Sequence, residues 1–360
     1  MPQNLKALTS VRFLAAMWVV LFDYWPKLTH AQPPAFVAHG FLGVELFFVL
    51  SGFILSHVYL EGFGGGRFSY GGFLWARLAR VYPLHLATLI GVGLLGAIAL
   101  MMGADTSHQV LAWNALLPNL LLVHAWGLAP SAGWNHPSWS ISAEWFAYLC
   151  FPLVAWGAWR LRTRPAVALV GVASLVALIY PAFTLLTGEP LTRATIAWGA
   201  LRIVPCFLLG AAVHLTWTAK AVKTGPAAIF LAVVAVLTVV AGCILSAPEA
   251  AFVCAFGLLI LALAGFSSTG VRLLDHPVGV YLGEVSYAVY MVCIPWMLVC
   301  VKGAERFGLM PDGLLPWPLW VVMFGGVVVV AMAAHHLVER PAREAMRRWR
   351  MPKASAVPAT

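Results

Sequence analysis

Two ionisable residues interrupt the first apolar run of the chain: Arg12 and Asp23 in VRFLAAMWVVLFDYW, eleven residues apart. Eleven helical steps of about 100° return to nearly the same face and rise about 16 Å. A helix over this run carries a guanidinium and a carboxylate on one side, separated by roughly half the hydrocarbon core of a bilayer. Ionisable groups inside a span are costly and mark a functional site by default. A carboxylate can take a proton from a hydroxyl, and a guanidinium can hold a phosphate or a developing oxyanion. The bland reading of Asp23 is an interfacial residue reaching outer water beside Trp25 and Pro26.

Three further polar groups break the apolar background. Glu45 lies in GVELFFVLSGFIL (43–55), followed by Ser51 and Gly52. Glu45 and Ser51 fall on opposite faces of a helix, and Glu45 reads as a structural or pore-lining partner. Arg77 and Arg80 in WARLARVYPLHL, with His85 nearby, are three apart and share a face. Such a pair grips phosphate through parallel hydrogen bonds or anchors on lipid headgroups at the positive side of a membrane. NHPSWSISAEWFAYLCFP (135–152) puts Glu144 at the mouth of an apolar run. A carboxylate there orients a base, holds a hydroxyl, or pairs with a buried cation such as Arg202. Ser140 and Ser142 read as caps, with no histidine at a fixed spacing to make either a nucleophile. Trp134 and Trp139 either stack on a sugar ring or belong to an interfacial belt. His108, His124 and His136 follow at intervals of 16 and 12 residues, which is not a zinc pattern, so no metal is expected. His136, next to the Trp139–Glu144 block, is the histidine placed to meet a substrate. His57 and His85 fall toward the inner ends of their runs, and His335 and His336 read as interfacial.

The elements that must position these groups are membrane spans. The 360 residues are 62% hydrophobic and 10% charged, against about 45–50% and about 25% in soluble domains. Sixteen Trp and twenty Phe suit interfacial belts and packed spans. The net charge of +9 sits in short segments flanking the apolar runs, which fits anchoring at a membrane face and not a nucleic-acid surface. No plain apolar signal-peptide region precedes the first run. Cys150, Cys206, Cys243, Cys254, Cys293 and Cys300 lie mostly in apolar runs without C-x-x-C spacing, and read as small buried residues.

Runs long enough to span fall near 8–26, 39–59, 82–102, 139–159, 166–187, 195–216, 226–246, 249–267, 278–300 and 316–337. An eleventh stretch, 109–126, is interrupted by Asn114, Pro118, Asn119 and His124. If it crossed, Arg160, Arg162, Arg164, Lys220, Lys223 and the basic tail from Arg340 to Lys353 would face away from Arg67, Arg77 and Arg80. If it does not, all of them, with Arg272, share the cytoplasmic side. The charges therefore predict an all-α polytopic membrane bundle of about ten transmembrane helices with both termini cytoplasmic. Segment 103–138 is then an outer segment that dips in or lies on the surface. Residues 1–350 form one membrane domain and 351–360 a disordered cytoplasmic tail. GFGGGRFSYGG (62–72) is a flexible turn, since no strand precedes it as a nucleotide loop requires.

Taken in order, GVELFFVLSGFIL, RLARVYPLHL, WNHPSWSISAEWFAYLCFP, LRIVPCFLLG and LGEVSYAVYMVCIP resemble the successive blocks of the membrane acyltransferase-3 family. That family includes O-antigen, exopolysaccharide and Nod-factor O-acylases. No single block is decisive; the ordered set, from about residue 5 to about 345, is highly specific. The resemblance implies ten spans, in agreement with the charge argument. It also implies transfer of an acyl group, acetyl by default, from cytoplasmic acyl-CoA to a hydroxyl of an extracytoplasmic glycan or glycolipid at the bacterial inner (cytoplasmic) membrane.

The family's first-span motif, arginine, ten residues, histidine, matches at Arg12 but meets Asp23 where the histidine would be the base. The R-x-x-R motif matches Arg77 and Arg80, and the glutamate block matches Trp139, Ser140 and Glu144. The late pattern Tyr-Leu-Trp-His-x-Pro reads Tyr290, Met291, Val292, Cys293, Ile294, Pro295, so a second histidine is absent. On the resemblance, Asp23 and Glu144 form an outer proton-handling site, and Arg12, a third catalytic candidate, joins Arg77 and Arg80 in an inner donor site for the acyl-CoA. Trp139, Ser140 and His136 meet the acceptor. The alternative is a catalytically silent relative that carries a glycan or lipid, favoured by the loss of both histidines.

Overall fold

The computed structural model describes residues 5–101, 103 and 111–349. His108 and the tail 351–360 lie outside the described residues. Among the described residues there are ten helices long and apolar enough to cross a membrane, and no strand. They are α1 (Lys6–Tyr24), α2 (Gly43–Gly64), α3 (Tyr70–Met101), α4 (Trp139–Leu161), α5 (Pro165–Thr187), α6 (Gly199–Thr218), α7 (Gly225–Leu245), α8 (Glu249–Thr269), α9 (Pro277–Arg306) and α10 (Trp317–Ala334). Each overlaps one of the ten expected runs. A final helix, α11 (Arg340–Trp349), continues α10 through a wide turn at His335–Glu339.

Local chemistry sets the boundaries. Without water to bind backbone polar groups, an apolar run in lipid must satisfy them internally, as a helix does. α5 and α9 begin at proline, where a missing N–H costs nothing. Thr224 caps α7 by accepting from the Ala227 N–H at 3.3 Å. α5 ends at Gly188, whose φ of +79° is open to glycine.

α1, α2, α6 and α8 form the interior, whereas α5, α7 and α10 are rim helices with most of their surface turned outward. Two pairs of helices touch backbone to backbone. A Cβ on Gly52 of α2 would run into the Phe207 carbonyl of α6, and one on Gly210 of α6 would run into the Val49 carbonyl of α2. A Cβ on Gly283 of α9 would meet the Thr9 carbonyl of α1. Small residues permit this approach, which is how helices gain packing energy in lipid.

Segment 111–138 does not cross. It contains only short turns of helix (Trp113–Ala115, Leu116–Leu120, His124–Leu128, His136–Ser138) and folds into the bundle. Its irregular backbone and its side chains exchange hydrogen bonds with the spans. Ser142 donates to the Leu122 carbonyl at 2.8 Å and accepts from the Ala125 N–H at 3.0 Å. Asn135 donates to the Met291 carbonyl at 2.9 Å. Pro295, four residues on, has no N–H for that carbonyl, so Asn135 replaces the missing donor.

The six thiols are free, and Cys206, Cys243 and Cys293 are buried as expected. Cys254 is exposed, because an apolar run has an outward face as well as an inward one.

Candidate functional site

The spans enclose two adjoining cavities that share Arg12, Arg77 and Arg80. The first, about 380 Å³, is mainly apolar. One stripe of α2 lines it, Val44, Phe47, Ser51, Ile54 and Val58, at the three-and-four spacing of a helix face. Opposite stand Ser140, Glu144 and Tyr148 of α4, with Ser286, Tyr287 and Tyr290 of α9. The second, about 340 Å³, is basic: Arg12, Arg77 and Arg80 are joined there by Arg343 and Arg347 of α11, against the single lining carboxylate of Glu284. The early turns of α1, α3 and α9 thus meet α11 at one end of the bundle.

Arg12 is 93% buried (7% exposed) and makes no hydrogen bond or ion pair with a described residue, although Glu144 and Glu339 lie within electrostatic range. Arg77 stacks over the Tyr59 ring at 5.6 Å and donates to its hydroxyl at 3.3 Å, but its buried Nε has no partner. Buried donors without acceptors are costly, so these guanidiniums are poised for an anion the protein does not supply. Glu144 accepts a hydrogen bond from Ser51 at 2.7 Å. A carboxylate, a hydroxyl and a partnerless guanidinium therefore face one apolar space, a set able to take up a proton and stabilise an oxyanion.

The other expected residues fall elsewhere. Asp23 sits on the last turn of α1, half-buried, and lines neither cavity, so it is not brought together with Glu144. It lies within electrostatic range of Tyr290 and Cys293. The Tyr24 hydroxyl donates to the Cys293 carbonyl at 2.6 Å. Asp23 and Cys293 thus stand near each other at the α1–α9 contact. Glu144 is not the partner of Arg202. Arg202 instead forms a two-pronged buried pair with Glu45 (2.6 and 3.1 Å) and donates to the Ala194 carbonyl at 2.8 Å. Trp139 is 4% exposed, its ring under the Arg202 guanidinium at 4.5 Å, which leaves no face for a sugar. Trp134 is buried and donates to the Ala112 carbonyl. Ser140 lines the apolar cavity, where its hydroxyl donates to the Pro137 carbonyl at 3.1 Å. His136 is exposed and borders neither cavity. His124 is buried beside His85 and Ser138; burial, aided by His85, pushes it down to about 3.

Sequence reasoning gave no role to Ser51, Arg343 or Arg347. Ser51 had a signal, as the one polar residue in the stripe 44–47–51–54–58. The two arginines had none, because their place depends on how α11 docks.

The family profile described as an acyltransferase domain matches residues 5–336. The chain is 31% identical to Acyltransferase MdmB of Streptomyces mycarofaciens, over 99% of this chain and 96% of that protein. It is 29% identical to Protein 2 in picA locus of Rhizobium radiobacter, over 49% of this chain and 95% of that one. No solved structure matches. The ordered blocks, the ten-helix bundle and these matches agree: the chain belongs to the acyltransferase-3 family, multi-pass membrane enzymes that transfer acyl groups.

Proposed function

We propose that the protein transfers an acyl group, acetyl by default, from acyl-CoA to a hydroxyl of a glycan or glycolipid. One observation carries this reading: a basic chamber and an apolar, carboxylate-bearing chamber meet at three shared arginines. A donor with phosphates at one end and an acyl thioester at the other has that polarity. Arg77, Arg80 and Arg12 meet the phosphates and the passing arm, and the thioester enters the apolar chamber beside Glu144. The acceptor hydroxyl gives its proton to Glu144 as its oxygen bonds to the thioester carbonyl. The carbon–sulfur bond then breaks, and the CoA thiolate leaves and is protonated. Arg12, in the same chamber, stabilises the developing oxyanion, and Ser51 holds Glu144 in place. The basic chamber faces the cytoplasm, both termini lie on that side, and the acceptor arrives from outside a bacterial inner membrane. Asp23, at the far end of α1, would meet the acceptor and not the donor.

The test is CoA release from acetyl-CoA by purified protein in vesicles, with Glu144→Gln and Asp23→Asn beside the parent. Removing a general base costs about 10²–10⁴-fold in turnover, so Glu144→Gln should fall by that factor and Asp23→Asn by less than tenfold. The reverse order would return the proton to Asp23. A parent that releases no CoA would support the silent-carrier reading.

A further inference from the structure

We propose that α11 completes the donor site, with Arg343 and Arg347 binding the nucleotide phosphates of acyl-CoA; this rests on the reading of the donor given above. The two residues are four apart, so they share one face of α11, and both line the basic chamber. Arg348, next to Arg347 in the chain, is on a different face and does not line it. Arg340 is engaged by Glu344 at 3.1 Å. α11 is fixed in register by Trp75 of α3, whose indole N–H donates to the Met346 carbonyl at 2.9 Å and whose ring meets Trp349 at 6.2 Å. Arg77 and Arg80 of α3 line the same chamber as Arg343 and Arg347, so this dock holds α11 beside them.

The charge balance names the ligand. Five guanidiniums surround the chamber. Glu284 lines it, and Glu339, just behind, is committed to His335 at 2.8 Å and lies 3.5 Å from Arg343. Arg12, Arg80 and Arg347 have no hydrogen-bond or ion-pair partner among the described residues. So large an excess of forked donors around one concavity suits a pyrophosphate with a further phosphate, not a single carboxylate. A phospholipid headgroup offers related chemistry, and the experiment separates the two.

The measurement is CoA affinity of the full chain in phosphatidylcholine vesicles, with and without phosphatidylglycerol. Alongside it runs turnover with acetyl-N-acetylcysteamine, a thioester without phosphates. Arg343→Ala with Arg347→Ala should weaken CoA by at least about tenfold, the scale of lost charge-assisted hydrogen bonds. Turnover of the phosphate-free thioester should not change. Lysine at both positions should restore part of the affinity, and Arg348→Ala should leave it unchanged. CoA affinity equal to the parent's in the double alanine variant would overturn the inference, as would a loss confined to anionic vesicles. A parent that binds no CoA would overturn the donor reading itself and this inference with it.

Discussion

Replacing Arg202 with methionine should loosen the wall that carries the site. Glu45 is 0% and Arg202 2% exposed. Three hydrogen bonds and a tryptophan face hold the guanidinium. Arg202→Met leaves the Glu45 carboxylate buried with no cation, and breaking a buried pair from one side costs about 3–5 kcal/mol. At about 2 °C per kcal/mol the melting point should fall on the order of 6–10 °C. Removing both charges is a different case, since an apolar replacement of a whole buried pair is often neutral, within about 1 kcal/mol. Glu45→Leu with Arg202→Met should therefore recover most of the loss. The assay is thermal unfolding of purified protein in one detergent for the parent, the single variants and the double variant. If Arg202→Met melts with the parent, or the double variant is no better than the single, the pair does not carry the load argued here. Acyl-transfer rate serves as a second readout. Glu45 and Ser51 lie on opposite faces of α2 and Trp139 begins α4, so a shifted pair should also disturb the Ser51–Glu144 contact.

Gly52→Ala forces α2 and α6 apart and should destabilise by about 1–3 kcal/mol, whereas Gly62→Ala, with nothing within 4 Å of the new Cβ, should be neutral in the same melt. His124 should make the fold acid-sensitive. Its folded value, about 3, lies below the unfolded 6.5. The unfolded chain therefore takes up the proton first, and stability is lost as pH falls from about 6.5 toward about 3. Melting points across that range should decline less steeply for His124→Gln, and an unchanged slope would refute the assignment.

The bundle was readable from the chain because lipid enforces one rule: long apolar runs must be helical. The basic residues decided the ambiguous stretch 109–126, and its described part, from residue 111, forms short turns and not a long apolar helix. The site was readable in part. Arg12, Arg77, Arg80, Ser140 and Glu144 do meet in one place, yet helical spacing within α1 could not reveal that Asp23 lies outside both cavities. Spacing along a single helix fixes which residues share a face but says nothing about the neighbour that face meets. The same limit hid the Glu45–Arg202 pair, which joins residues 157 apart, and led Trp139 to be read as a sugar platform when it is the floor under Arg202.

The glycine contacts between helices have a mechanical consequence. α2 touches α6, and α1 touches α9, through backbone, so sliding either pair breaks contacts along a whole interface. α3 differs along its length: only a third of its most apolar window, beyond Arg80, is buried, whereas the half that carries Arg77 and Arg80 is tied to its neighbours through Trp75, Tyr59 and Tyr287. The cavity thus has rigid jambs, and the compliant part of its frame is the far half of α3, which can swing outward while the arginine end and α11 stay in place.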